Sequence, residues 1–242
     1  MWRDDLRGIH YIALKDMRTY YLKPPAISWG IAFPVAWILA FYLRSPKNFE
    51  ELVPGLIAMT ILFSTTAAEA VVINFELRIG SLERLLLAPI SVSAVLVGKV
   101  LGGAIFGLLM TGTVVLGSTI GLGLRPNPFG LLLVLVPSAL ALSSMGSLLC
   151  VLVKEVFEAQ TLANLPRFLM VFLCGVFYPI SAMPPALQSI AHVLPLTYTV
   201  DGIREAFLPG KITTLLADSL VLMAFTALFL LPATKLLRRR FV

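Results

Sequence analysis

Long apolar stretches separated by short polar segments make up most of the chain. A hydrocarbon core of about 30 Å needs about 20 apolar residues of helix to cross it. Six stretches fit this template, and we predict membrane-spanning helices over residues 27–43, 53–75, 92–124, 129–153, 162–180 and 212–231. The predicted fold class is therefore an all-α polytopic membrane protein, and a single membrane domain covers residues 1–242.

The first 25 residues form a predicted amphipathic helix that precedes the first span. Its apolar positions fall within about 80° of one another on a helical wheel, and its basic residues occupy the opposite side. We expect this helix to lie in the cytoplasmic membrane interface and to end at Pro24 and Pro25. The alternative is a generic anchor that merely precedes the first span. The apolar positions are Trp2, Leu6, Ile9, Ala13, Met17 and Tyr20.

Residues 181–210 form a second non-spanning segment. Pro184 and Pro185 open a short apolar helix, Pro195 breaks it, and a second helix is predicted from about Tyr198 to Phe207. Neither helix is long enough to cross a bilayer. Because unpaired backbone is costly in hydrocarbon, this outer hairpin must pack against protein or lie flat at the surface. In either position it would cover whatever pathway the bundle encloses.

The composition excludes a water-soluble globular protein, because 58% of residues are apolar and 13% are charged, against about 25% charged in soluble domains. The net charge of +6 follows membrane topology and does not indicate nucleic-acid binding. With six crossings, twelve basic residues fall on the side of the termini and five on the other. We therefore expect a multi-pass protein of the cytoplasmic membrane with both termini cytoplasmic, the C-terminal one being a basic tail over residues 232–242. The twelve are Arg3, Arg7, Lys15, Arg18, Lys23, Arg78, Arg84, Lys154, Lys235 and Arg238 to Arg240; the five are Arg44, Lys47, Arg125, Arg204 and Lys211.

Three charged residues, Glu69, Lys99 and Arg167, fall inside predicted spans at a similar depth on the cytoplasmic side. An unpaired charge at that depth costs on the order of 2 to 3 kcal/mol on insertion scales. We therefore predict that Glu69 pairs with Lys99 or Arg167 in an intramembrane charge cluster. The alternative is that each side chain reaches separately toward water.

No enzymatic constellation is visible in the sequence. The two cysteines, Cys150 and Cys174, lie inside apolar stretches, and the two histidines, His10 and His192, are far from them. Neither a metal-ligand motif nor a nucleophile and base pair is present. A phosphate-binding loop is also missing, since Gly98 and Lys99 are followed by Val100 within a span. We predict no catalytic, cofactor or metal site in this chain.

The polar segment between the second and third spans carries a short helix with an apolar face. Gly80 can end the preceding helix, Ser81 can cap a new one and Pro89 can stop it after two turns. Such a helix outside the membrane needs a protein partner for its apolar face. The alternative is a helical hairpin tucked under the bundle. The apolar face consists of Leu82, Leu85 and Leu86, with Glu83 and Arg84 beside it.

Two segments resemble the ABC-2 permease family. The first resembles an acidic residue followed by the signature Gly-Thr-Leu-Glu-x-Leu-Leu-x-x-Pro-hydrophobic-Ser, with Ser81 in place of the usual Thr. The second is similar to the family's fifth span and outer hairpin. Within the family, the two segments most resemble the daunorubicin-resistance-type and nodulation-type export permeases. The matching residues are Glu76, Gly80, Leu82, Glu83, Leu85, Leu86, Pro89 and Ser91 in the first segment, and Asn164 to Pro166, Phe172 to Pro179, Met183, Pro184, Leu194 to Tyr198, Asp201 and Arg204 in the second.

The resemblance implies the permease subunit of an ATP-driven exporter that moves an amphipathic, lipid-linked or drug-like substrate. It implies a second permease copy or a close relative, two ATP-binding subunits that hold ATP and Mg, and contact with membrane lipids. It also implies that the short helix couples the permease to the ATPase and that Tyr198, Asp201 and Arg204 form an outer gate. The implied coupling residues are Glu76, Gly80, Ser81, Leu82, Glu83, Arg84, Leu85, Leu86 and Pro89.

Two other functions remain open at the level of sequence. A proton-coupled secondary transporter could use the intramembrane acids Glu69 and Asp218. Six spans without an obvious internal repeat argue against it, since many carriers are built from repeats. A membrane-embedded enzyme ranks below both, because no catalytic cluster is visible.

Overall fold

The computed structural model describes residues 2–44, 49–153, 155–207 and 212–241. All regular elements within these ranges are helical, as the all-α prediction requires. Lys47, Lys154 and Lys211, which contribute to the predicted charge asymmetry, lie outside the described residues, as do residues 208–210 of the predicted hairpin and residue 242 of the tail.

In the described part of the chain, the helices follow one another with short connections. A π-helical turn, Met17–Tyr21, continues the first helix, and a 3-10 turn, Ile180–Ala182, precedes the eighth. The α-helices are α1 (Trp2–Asp16), α2 (Pro24–Arg44), α3 (Phe49–Arg78), α4 (Ser81–Leu86), α5 (Val92–Leu122), α6 (Pro128–Leu152), α7 (Val156–Leu173), α8 (Pro185–His192), α9 (Pro195–Phe207) and α10 (Ile212–Phe241).

Helix α7 differs most from the predicted segment 162–180, because it begins six residues earlier and ends seven earlier. The apolar stretch continues beyond Leu173, but the backbone turns at Gly175, where φ is +81°. This left-handed conformation favours glycine and ends the helix. Hydrophobicity alone could not locate that end.

Three helices in the described ranges are long and apolar enough to cross a membrane: Val92–Leu122, Pro128–Leu152 and Ile212–Arg239. Helix α10 runs through most of the predicted basic tail, since it continues to Phe241. Lys235 and Arg238 therefore lie on its last turns, where cations interact favourably with the helix dipole.

The main core joins α3, α5, α6, α9 and α10. Glycines allow helices to approach closely in this core. A Cβ atom at Gly107 of α5 would lie 2.2 Å from Cγ2 of Thr65 on α3, and one at Gly202 of α9 would lie 2.7 Å from Cγ2 of Val134 on α6. Helix α9 of the predicted hairpin is thus an integral part of the packed bundle, whereas α8 is largely exposed.

Helix α1 is amphipathic as predicted, but its two halves have different surroundings. Trp2 and Leu6 are 82% and 58% exposed, which suits contact with lipid. Ala13 and Met17 are buried, and α1 packs along α5. The predicted apolar stripe therefore faces two environments, and its C-terminal half belongs to the protein core.

Candidate functional site

The segment between α3 and α5 folds into the short helix α4. Gly80 adopts φ +69° directly before this helix, a conformation that favours glycine. Ser81 was expected to cap the helix, but it is the first helical residue, and its Oγ donates to the carbonyl of Glu76 at 3.5 Å. The predicted cap is therefore wrong, because the left-handed turn at Gly80 places Ser81 one position further into the helix. Pro89 follows the helix, as predicted.

The apolar face of α4 packs mainly against the protein itself. Leu82 is fully buried in a cluster with Ile12 of α1, Val95 of α5 and Ala159 of α7, and Leu85 packs partly against the same cluster. Leu82 is consequently not available as an anchor for a partner. This corrects the expectation that the whole apolar face of the short helix contacts another protein. The side chain of Leu86 lies outside the described part of the structure.

The exposed side of α4 is formed by Glu83, Arg84 and Leu87. Leu87 directly follows the helix and is 87% exposed. Its exposure could not be read from the sequence, because Leu87 follows Leu85 and Leu86 directly and is as apolar as they are. We refer to Glu83, Arg84 and Leu87 as the loop tip.

Helix α1 holds the far end of this loop. The carboxylate of Asp5 accepts a hydrogen bond from the backbone N–H of Ser91 at 2.8 Å. One turn further along α1, a Cβ atom at Gly8 would lie 3.0 Å from Cγ2 of Ile90. The loop is therefore fixed against α1 just before α5 begins.

The near end of the loop is held by a buried ion network. Lys99 Nζ on α5 lies 2.6 Å from Oε2 of Glu76 and 3.2 Å from Oδ2 of Asp16. Lys15 Nζ lies 2.9 Å from Oδ1 of Asp16 and also donates to Oε1 of Glu76. Lys99, Asp16 and Glu76 are buried, while Lys15 is partly exposed. Two bases and two acids thus join α1, α3 and α5, with no net charge.

The charge on Lys15 reflects this network. Burial disfavours the charged ammonium, but the carboxylates of Asp16 and Glu76 outweigh burial and raise the pKa of Lys15. The network is therefore held together by full charges. It joins the end of α1 to Glu76, which lies four residues before the left-handed turn at Gly80.

The predicted pairing of Glu69 with Lys99 or Arg167 is wrong in this structure. Lys99 is bound by Asp16 and Glu76 instead, because docking of α1 on α5 brings Asp16 within its reach. Arg167 donates from Nε to Oγ1 of Thr66 at 2.5 Å and from Nη1 to an Asn164 side chain on its own helix at 2.8 Å.

Glu69 is surrounded by hydroxyl groups. Its Oε1 lies 3.3 Å from the hydroxyl of Tyr21 and 3.3 Å from Oγ of Ser143, and its Oε2 lies 3.2 Å from Oγ of Ser147. The carboxyl group is fully buried between α3, α5 and α6. Among the described residues, no ion pair therefore joins Glu69 to Lys99 or Arg167.

Two of the predicted gate residues, Tyr198 and Arg204, attach helix α9 of the outer hairpin to neighbouring backbone carbonyls. Arg204 Nη2 donates to the carbonyl of Gly175 at 2.5 Å, which ties α9 to the end of α7. The hydroxyl of Tyr198 donates to the carbonyl of His192 at 2.8 Å, which fixes the junction of α8 and α9. Among the described residues, no ion pair joins Asp201 to Arg204, because the guanidinium is directed toward α7.

An open groove of about 1070 Å³ runs along α7. Most of its lining is apolar, with aromatic side chains from Phe157, Phe168 and Phe172. Thr161 and Asn164 add polar atoms at intervals of one helical turn. The groove is large enough for an apolar chain with a polar end.

Comparison with known proteins identifies the family. The model of the ABC-2 type transporter family matches residues 8–208. The chain belongs to that family. It is 27% identical over 229 residues to the inner membrane transport permease YadH of Escherichia coli K12, covering 90% of this chain and 87% of YadH. It is also 26% identical over 246 residues to the probable multidrug ABC transporter permease YbhS of the same strain, covering 99% of this chain and 59% of YbhS. Nodulation protein J of Bradyrhizobium diazoefficiens is 23% identical over 228 residues, covering 86% of this chain and 80% of that protein.

The family resemblance inferred from the two sequence segments is therefore confirmed. The chain is a multi-pass membrane protein and a transport permease of the ABC-2 type. Its relatives are transport permeases, which agrees with a transport subunit that is not itself an enzyme.

Proposed function

We propose that this ABC-2 protein is the membrane-spanning subunit of an ATP-driven exporter that works with two ATP-binding subunits and a second permease copy or a close relative. The observation that carries the proposal is the loop between α3 and α5. Both of its ends are fixed, by Asp5 at Ser91 and by the ion network at Glu76, while the loop tip is exposed. A rigid base with an accessible tip is suited to transmitting movement from a protein bound at the tip.

Six crossings with cytoplasmic termini form part of this proposal. They place the loop tip in the cytoplasm, the compartment that holds ATP, and the excess of basic residues on the same side supports that orientation. Helices α2, α3, α5, α6, α7 and α10 would be the six spans, and α8 and α9 would lie at the outer side. Helix α1 would contact lipid through Trp2 and Leu6.

The substrate class is proposed to be amphipathic, lipid-linked or drug-like. The groove along α7 supports this, because aromatic and aliphatic side chains line most of it and polar atoms occur at helical intervals. One relative carries the name of a probable multidrug transporter permease. Packing of the second permease copy against the same face is the alternative use of the groove.

Transport in inside-out membrane vesicles tests this function. We expect vesicles that contain the permease and its ATP-binding subunit to accumulate a fluorescent amphipathic dye when ATP is added. Replacing the phosphate-loop lysine of the ATP-binding subunit should abolish accumulation. Dye uptake that needs no ATP and collapses when a protonophore is added would contradict the proposal and favour a proton-coupled secondary transporter.

A further inference from the structure

Glu69 lies in an enclosed site that the proposed transport cycle does not use. The backbones of α5 and α6 approach it at glycines. A Cβ atom at Gly103 would lie 2.3 Å from Oε1 of Glu69, and one at Gly146 would lie 3.2 Å from its Cβ. The carboxyl group is therefore confined among protein atoms, and its charge state must be compatible with the groups that touch it.

No basic group in the described part of the chain forms an ion pair with Glu69. The ammonium of Lys99 is bound by Asp16 and Glu76, and the guanidinium of Arg167 donates to Thr66 and an asparagine. An isolated ionised carboxylate in a buried site is very unfavourable, and such groups usually become neutral. The surroundings of Glu69 thus favour a carboxylic acid over a carboxylate.

The hydrogen atoms around Glu69 can be counted. Ser143 Oγ lies 2.9 Å from the carbonyl oxygen of Val100 and 3.3 Å from Oε1 of Glu69. A serine hydroxyl has one hydrogen to donate, and a backbone carbonyl oxygen can only accept. We assign this hydrogen to the shorter contact, with Val100, so the contact with Glu69 is a hydrogen bond only if Glu69 is the donor. A carboxyl group can donate only when it is protonated.

The hydroxyl groups of Tyr21 and Ser147 are compatible with a protonated Glu69. Tyr21 donates to Oε1 and Ser147 donates to Oε2, which uses the acceptor capacity that a protonated carboxyl group retains. We propose that Glu69 is a proton-binding site, whose Oε1 carries a proton and donates it in a hydrogen bond to Oγ of Ser143. The ligand is a single proton, and the inference does not depend on coupling to ATP.

Several titratable groups face this site from the neighbouring elements, and the charged ones, Lys99 and Asp16, pair with each other. Loss of the proton would leave the Glu69 carboxylate and the Val100 carbonyl competing for the single hydrogen of Ser143, so one of these two contacts between neighbouring helices would be lost. The proton therefore stabilises the packing of these helices. The facing groups are Asp16 from α1, Tyr21 from the π-helical turn, Lys99 from α5 and Cys150 from α6, whose Sγ lies 3.3 Å from the Glu69 carbonyl.

Infrared difference spectroscopy of the purified permease in lipid at neutral pH tests the proposal. The spectrum of wild type minus Glu69→Gln should contain the C=O stretching band of a protonated carboxyl group, and the band should shift in heavy water. Glu51→Gln on the same helix is the matched control, because Glu51 is exposed and its replacement should remove only carboxylate bands. Finding a carboxylate band in place of an acid band for Glu69 would overturn the proposal.

Two further variants keep the test informative. Glu69→Gln should melt within about 3 °C of wild type, since its amide can donate to Ser143 as the acid does. Ser143→Ala should retain the acid band but shift it, because the acceptor of its hydrogen bond is lost. Failure of Glu69→Gln to fold, or an unshifted band in Ser143→Ala, would contradict the assigned proton.

Discussion

Replacing Lys99 with methionine should destabilise the permease strongly. Methionine has a similar length without a charge, so the change leaves the carboxylates of Asp16 and Glu76 to share the single ammonium of Lys15. Removing one partner of a buried ion pair costs about 3 to 5 kcal/mol, because the other charge is left uncompensated. For a chain of this size, about 1 kcal/mol corresponds to about 2 to 4 °C, so the melting temperature should fall by about 6 to 20 °C.

A second change separates charge imbalance from the loss of packing. Adding Asp16→Asn to Lys99→Met restores one acid for one base, since Lys15 can still bind Glu76. The double variant should recover part of the loss, with a coupling free energy of about 0.5 to 3 kcal/mol. Lys23→Met serves as the matched control, because Lys23 is exposed and its replacement should leave the melting temperature unchanged.

Differential scanning fluorimetry of wild type, the two single variants, the double variant and Lys23→Met, all in the same detergent, supplies the melting temperatures. A melting temperature for Lys99→Met within about 2 °C of wild type would contradict this prediction, because it would mean that the network contributes no net stability. If the losses of stability caused by Lys99→Met and Asp16→Asn simply added up in the double variant, the two side chains would not be coupled through their charges.

Three further predictions follow from contacts around the loop and the outer helices. Asp5→Ala should speed hydrogen exchange of the loop tip by at least about tenfold, since a hydrogen bond to a charged group contributes about 1.5 to 3 kcal/mol, whereas Asp4→Ala on the exposed side should not. Leu82→Ala should lower the free energy of unfolding by about 2 to 5 kcal/mol, measured by denaturant titration, while Leu87→Ala should leave it unchanged. Arg204→Ala should alter transport or basal leak in vesicles while the permease still forms dimers on size-exclusion chromatography; wild-type transport would mean that the outer helices are a passive cap.

Hydrophobic patterning located the helices well, because apolar stretches of membrane length leave few other structures possible. It failed where a local backbone conformation decides the outcome. Helix α7 ends at the left-handed Gly175 although apolar residues continue, and α4 begins after the left-handed Gly80, which displaces the expected serine cap. The sequence pointed to the break at Gly80, but it does not show which glycines adopt a positive φ, so the end of α7 and the exact capping residue of α4 could not be placed.

The candidate site was only partly predictable, because pairing between distant helices is not encoded in spacing. The depths of Glu69, Lys99 and Arg167 suggested a pair, but the docking of α1 brings Asp16 to Lys99 first. The sequence did contain one signal for this pairing. Asp16 lies three residues after Ala13 and four after Ile12, so it is next to the apolar stripe of its helix. An acid at the edge of a buried face needs a partner, and Lys99 was a candidate for it.

The most direct test of the proposed mechanism is the affinity of the permease for its ATP-binding subunit when the loop tip is changed. Leu87→Ala and Glu83→Lys alter exposed side chains and should not affect folding. Losing an interface anchor commonly costs about 2 kcal/mol or more, which is roughly a thirtyfold loss of affinity. We expect such a loss in a binding titration in nanodiscs, together with loss of dye-stimulated ATP hydrolysis. Wild-type affinity and wild-type stimulated hydrolysis in both variants would contradict the role of the loop tip in ATP coupling.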